Sequence, residues 1–126
     1  MNLIARIITY VPNLSRYLKG TQQFNEQNFE NALSNFEKCL KHKDFQNELV
    51  FSYYGQSLCA IGQLEEAYPF LIRAYEIYEN QGWEIKNEVS HDVAVRTLSA
   101  LIHIKENTNL EIDEAVFEKE KCLTMK

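Results

Sequence analysis

Residues 62–78 read "GQLEEAYPFLIRAYEIY" and return an apolar side chain every three or four positions: Leu64, Ala67, Tyr68, Leu71, Ala74, Tyr75, Ile77 and Tyr78. That spacing predicts an amphipathic helix. Gly62 before it suits the left-handed position that closes a preceding helix, because a residue without Cβ carries no penalty there. Pro69 is tolerated if the helix begins near Leu64. Its missing N–H then falls at or just past the first amides, which lack intrahelical partners in any case.

The stretch is not unique. With the chain shifted by 35 residues, Gly20 falls on Gly55, Gln27 on Gly62, Phe29 on Leu64 and Glu30 on Glu65. Ala32 then falls on Ala67, Phe36 on Leu71 and Cys39 on Ala74. An amphipathic helix has no reason to keep one shift across two helices and their turn. The pattern states one helix–turn–helix unit twice, with Gly55 and Ala67 small because two helices cross there.

This unit resembles the tetratricopeptide repeat, a 34-residue helical hairpin with W-x2-L-G-x2-Y followed by A-x3-F. The second copy carries Phe51-x2-Tyr54-Gly55-x2-Leu58, Gly62, Ala67-x3-Leu71 and Ala74. The first keeps Gly20, Phe29, Ala32-x3-Phe36 and Cys39, but places Arg16, Lys19 and Gln23 where the family is apolar. A third copy is echoed in Val95-x2-Leu98-Ser99-x2-Ile102 and Ala115, offset by 44 residues. About ten extra residues thus fall around "NQGWEIKNEV", where insertions usually form loops, and 83–92 reads as either a loop or an early helix. The resemblance implies an all-α fold of antiparallel helical hairpins, stacked as a short right-handed α-solenoid of about three hairpins with capping helices. Residues 1–12 form the N-terminal capping segment, 13–44 the first repeat, 47–81 the second, and 88–123 the third with the C-terminal cap.

It also implies a non-catalytic module that grips a peptide or protein in a groove lined by the first helix of each unit. Carried over by position, the groove takes Leu14, Tyr17, Thr21 and Phe24, then Leu49, Ser52, Gln56 and Cys59, then Val93, Arg96, Ala100 and His103. Of these, Tyr17, Thr21, Phe24, Ser52, Gln56, Cys59, Arg96 and His103 are the candidate partner-binding residues. Family members that clamp a C-terminal carboxylate use Lys, Asn and Arg where this chain has Tyr17, Thr21, Ser52 and Gln56, so that ligand is not expected.

The remaining sequence agrees with helices. Only 4 Gly and 2 Pro occur in 126 residues that are 45% hydrophobic and 25% charged, too few turn residues for a many-stranded sheet. Leu3, Ile4, Ile7, Ile8 and Val11 make one apolar stripe, which Pro12 and Asn13 are expected to end. The next helix sets Leu14, Tyr17, Leu18 and Phe24 on one side. The stripe lacks a preceding basic region and is interrupted by Arg6, unlike a signal peptide. No run approaches the ~20 apolar residues of a membrane span, so no membrane partner is expected.

A net charge of -5 argues against nucleic acid. It is unevenly spread: residues 1–43 carry 6 basic and 3 acidic groups, 44–92 carry 2 and 9. Glu65, Glu66, Glu76 and Glu79 belong to that acidic middle, which suits a basic partner. The alternative function is therefore a small acidic bacterial immunity protein or secretion chaperone covering one cognate toxin or effector. Cys39, Cys59 and Cys122 form no close pair and are expected to act as small hydrophobes in a reducing cytoplasm. Cys39-x2-His42 is half of a zinc spacing without a second half, and Ser90, His91 and Asp92 are neighbours that point apart on a helix. No cofactor, metal or catalytic constellation is expected.

Overall fold

The computed structural model describes residues 3–125, apart from the side chains of Arg6 and Thr9. The described residues form six packed α-helices and no strand: α1 (Leu3–Asn25), α2 (Phe29–Leu40), α3 (Glu48–Ala60), α4 (Leu64–Asn80), α5 (Glu88–Asn107) and α6 (Glu114–Thr124), with one 3₁₀ turn at Lys43–Phe45. Each helix packs on the next in the chain, and α1 also touches α3, as α3 touches α5.

The 35-residue shift reappears in atomic detail. At the end of α1, Gln27 N–H donates to the Phe24 carbonyl (3.0 Å) and Asn28 N–H to that of Gln23 (2.8 Å). At the end of α3, Gly62 N–H donates to Cys59 (3.0 Å) and Gln63 N–H to Leu58 (2.9 Å). These are the paired bonds of a Schellman cap, and both Gln27 (φ 64°) and Gly62 (φ 87°) are left-handed. Helix crossing repeats as well. A Cβ on Gly20 would lie 2.9 Å from Phe36 Cε1, and one on Gly55 2.6 Å from Leu71 Cγ. Ala32, Ala67, Phe36, Leu71, Cys39 and Ala74 are all fully buried.

The apolar interior follows from that packing. Phe36 stacks on Tyr53 (centroids 5.4 Å apart, planes 10°), and Phe24 meets the edge of Tyr53 at 5.1 Å, joining α1, α2 and α3. Leu58, Leu71, Leu98, Leu101, Ile104, Ile112 and Val116 join α3 and α4 to α5, α6 and the turn before α6.

Four expectations are corrected. Pro12 does not end a helix; α1 runs through it. Its missing N–H strands only the Ile8 carbonyl, and both residues are exposed, so water can serve that carbonyl. Of the segment 1–12, residues 1 and 2 lie outside the described residues, and 3–12 are the first half of α1, continuous with the helix of the first repeat, with their apolar stripe exposed. Leu18, expected to share a face with Tyr17 and Phe24, is also exposed. The extra residues before the third hairpin do not lengthen a loop: seven residues join α2 to α3 (41–47), and seven join α4 to α5 (81–87). The added length is helical, since α4 has 17 residues against 12 in α2. Both connections end in an asparagine cap. Asn47 Oδ1 accepts from Leu49 and Val50 N–H (3.1 and 3.0 Å), and Asn87 Oδ1 accepts from Ser90 N–H (2.8 Å). Lastly, Cys39 is buried and Cys59 partly so, but Cys122 is exposed.

Gln27 holds a conformation that costs a side-chain-bearing residue roughly 1 kcal/mol and costs glycine nothing. Gln27→Gly is therefore expected to raise the stability of the protein by up to about 1 kcal/mol, read as a higher urea midpoint at unchanged slope.

Candidate functional site

The face presented by α1, α3 and α5 is built on a buried polar chain. Gln56 Nε2 donates to Ser52 Oγ (2.8 Å), and Ser52 Oγ is in turn bonded to Thr97 Oγ1. Thr97 donates its hydroxyl hydrogen to the Val93 carbonyl (2.7 Å), so the Ser52 hydroxyl must be the donor to Thr97. The order Gln56 to Ser52 to Thr97 to Val93 uses every hydroxyl hydrogen once and ties α3 to α5 across 45 residues of sequence. Ser52 and Gln56, placed by sequence in the groove, are floor rather than surface.

α1 and α3 also bring two phenols together, Tyr17 and the buried Tyr53. Tyr17 is half-buried, with its ring centroid 6.4 Å from each of Phe36, Phe45 and Tyr53. Burial pushes its hydroxyl pKa up to about 12, with Tyr53, Cys39 and Glu48 adding to the rise. Tyr53 is raised too, first by burial and then by Asp92, while the Arg96 guanidinium opposes the shift. Charges from α5 thus act on a phenol of α3, and Arg96 and Asp92 themselves are exposed.

Of the eight candidates, Phe24, Ser52 and Gln56 are buried, Tyr17 is half-buried against Tyr53, and Arg96 is exposed on α5. The other three stand apart. Thr21 donates to the Leu18 carbonyl in its own helix (2.8 Å). Cys59 is partly buried, and its thiol pKa is pushed up to about 11 by that burial. His103 is exposed, with Nδ1 3.2 Å from Asn107 Nδ2. Glu65, Glu66, Glu76 and Glu79 are all exposed on α4, the first pair at its N-terminus and the others near its C-terminus. Glu79 accepts from Trp83 Nε1 (2.7 Å), so part of its charge is engaged.

Sequence reasoning missed Tyr53, Asp92 and Glu48, and also the cavity beside them. About 470 Å³ opens between the start of α3 (Glu48, Leu49), the end of α4 (Tyr78, Gln81), the 84–87 connection and Ser90. A second cavity shares Ile85, Lys86 and Asn87 with it and reaches His91 and Asp92. Tyr78 is buried under a stacked Trp83 (5.1 Å, 12°), and its hydroxyl lacks a hydrogen-bond partner. His91 Nε2 shares that condition. The aromatic pattern of "AYEIYENQGW" was visible, but nothing in its periodicity shows that a hydroxyl would be orphaned.

Among the described residues no three His, Cys, Asp or Glu side chains are placed to hold a metal ion, and no helix is long and apolar enough to cross a membrane. Cys39 instead donates its thiol to the Asn13 carbonyl (3.3 Å), and His42 Nδ1 accepts from Asp44 N–H (3.2 Å). The chain matches no protein-family model, no curated protein and no solved structure.

Tyr78 yields a paired prediction. An unsatisfied buried hydroxyl costs about 1–3 kcal/mol, so Tyr78→Phe is expected to leave stability at pH 8 unchanged or to raise it by about 1 kcal/mol. Burial also raises the Tyr78 pKa above that of a free phenol. Above pH ~10 the unfolded chain sheds protons that the folded chain keeps, and stability falls as pH rises. Urea melts at pH 8 and above pH ~10 should therefore show a smaller alkaline loss in the variant than in the parent.

Proposed function

We propose that the chain is a non-catalytic protein-interaction module of the tetratricopeptide kind. In this reading the three hairpins form a short right-handed α-solenoid, and a peptide or partner protein lies on the face of α1, α3 and α5. The observation that carries it is the hairpin repeated at one 35-residue shift, with the same caps and the same glycine crossings. First helices that touch in sequence, α1 to α3 to α5, support the stacked arrangement. The groups that this face leaves to solvent are polar and of both charges: Arg96, Asp92 and the half-buried Tyr17. They suit hydrogen-bonded recognition of a chain with mixed charge. No cofactor enters this reading, and neither nucleic acid nor a membrane is its partner.

A second reading has its own support. Glu65, Glu66 and Glu76 stand exposed on α4, where a basic surface can meet them. In that reading the protein is a small acidic immunity protein or secretion chaperone with one basic partner, acting in the cytoplasm.

Affinity capture from the native cell with three baits separates the two: the parent, an Asp92→Lys/Arg96→Glu variant, and a Glu65→Lys/Glu66→Lys/Glu76→Lys variant. The groove reading expects a specific partner lost at least tenfold with the first variant and kept with the second. The reverse pattern selects the acidic surface. A partner held equally by all three baits contradicts both.

A further inference from the structure

Five large aliphatic side chains on the first half of α1, Leu3, Ile4, Ile7, Ile8 and Val11, are between 51 and 72% exposed. Their exposure has a geometric cause. α1 has 23 residues and spans about 35 Å, whereas α2 has 12 and spans about 18 Å. Cys39, in the last turn of α2, donates to the Asn13 carbonyl, and before it Tyr10 packs on Phe45 (5.1 Å), while the five aliphatic side chains of this half of α1 stay exposed. A contiguous apolar ridge of this size is rare on a monomer and marks an interaction surface.

We propose that this ridge is a dimerisation arm covered by the same ridge of a second copy, the two α1 helices running antiparallel. Ile4, Ile7 and Val11 follow each other at spacings of 3 and 4, the a and d positions of a heptad, with β-branched residues throughout. The flanking e and g positions are Leu3, Ile8 and Tyr10. None is charged, so the seam lacks the e and g charges by which such helices select a different partner. Buried area is sufficient: five aliphatic side chains per copy, each removing on the order of 100 Å², reach roughly 1,000 Å² across two copies, the threshold of a stable interface.

Charge decides the orientation. Arg16, Lys38 and Lys41 line one shallow cavity beside Ile8 and Pro12. A parallel pair would set these cations against their counterparts, and an antiparallel pair carries them to opposite ends. A lipid surface fits less well, because residues 3–11 hold one basic residue and no Trp or Phe, short of the Lys/Arg-rich polar face of interfacial helices. The arm is separate from the α1/α3/α5 face, so this inference does not depend on the groove reading.

Sedimentation equilibrium of the full chain, with and without anionic vesicles, tests it. The expected result is a reversible dimer of the 14.8 kDa chain at micromolar concentration. Ile7→Glu, and independently Ile4→Lys, should weaken it by roughly a hundredfold with helical circular dichroism and melting unchanged, since both side chains are exposed in the single copy. Leu18→Glu, outside the antiparallel overlap, should leave it intact. A monomer up to about 100 μM overturns the proposal, whether or not it sediments with vesicles. A dimer indifferent to both arm variants also overturns it, and one broken by Leu18→Glu overturns the antiparallel arrangement.

Discussion

Two glycines without room for a methyl group organise this molecule. Gly55 lets Leu71 come so close that a Cβ would sit 2.6 Å from its Cγ, and Gly20 does the same for Phe36. Each contact fixes how far apart the helices of a hairpin lie. It also seats a large side chain between hairpins, where both Phe36 and Leu71 are fully buried. Gly→Ala would gain up to about 1 kcal/mol of helix propensity, yet here the overlap opposes it. The crossing therefore outweighs local preference, and it does so twice at the same spacing.

From that constraint the polar face follows. α3, held between its partners, is buried on several sides and has no free polar face to offer. Its polar groups are consumed internally, as the chain from Gln56 through Ser52 and Thr97 shows. On the proposed binding face this leaves the half-buried Tyr17 of α1 and the exposed charges Asp92 and Arg96 of α5. α4 keeps its acids in water. The two sets of exposed charge differ chemically, and that difference allows the two proposed readings to be told apart.

The sequence was most informative where physics is local and repeated. Gly62 was read as a left-handed cap, and Gln27, which aligns with it, takes the same conformation although nothing about glutamine advertises it. Gly20 with Gly55, and Phe36 with Leu71, anticipated the crossings. It misled where the outcome depends on solvent or on a neighbour's length. Proline ends a helix when its stranded carbonyl is buried, but at Pro12 that carbonyl lies beside water. The exposed arm depends on α1 outrunning α2, which cannot be seen until Pro12 is known to be helical. Ser52 and Gln56 were assigned to the surface by position alone, and the hydroxyl that buries them, Thr97, lies 45 residues from Ser52. Tyr53 was missed because α3 is apolar around most of its circumference, so no periodicity singles out one residue.

A double-mutant cycle at the second crossing tests the central constraint most directly. In the parent, Gly55→Ala should destabilise by about 1–3 kcal/mol, because the new methyl group overlaps Leu71. With Leu71 already cut back to alanine the overlap is gone, and the same Gly55→Ala change should stabilise by up to about 1 kcal/mol through helix propensity. That reversal of sign is the predicted result. Equal penalties in both backgrounds would show that the close approach of Gly55 to Leu71 does not set the hairpin, and would contradict the account.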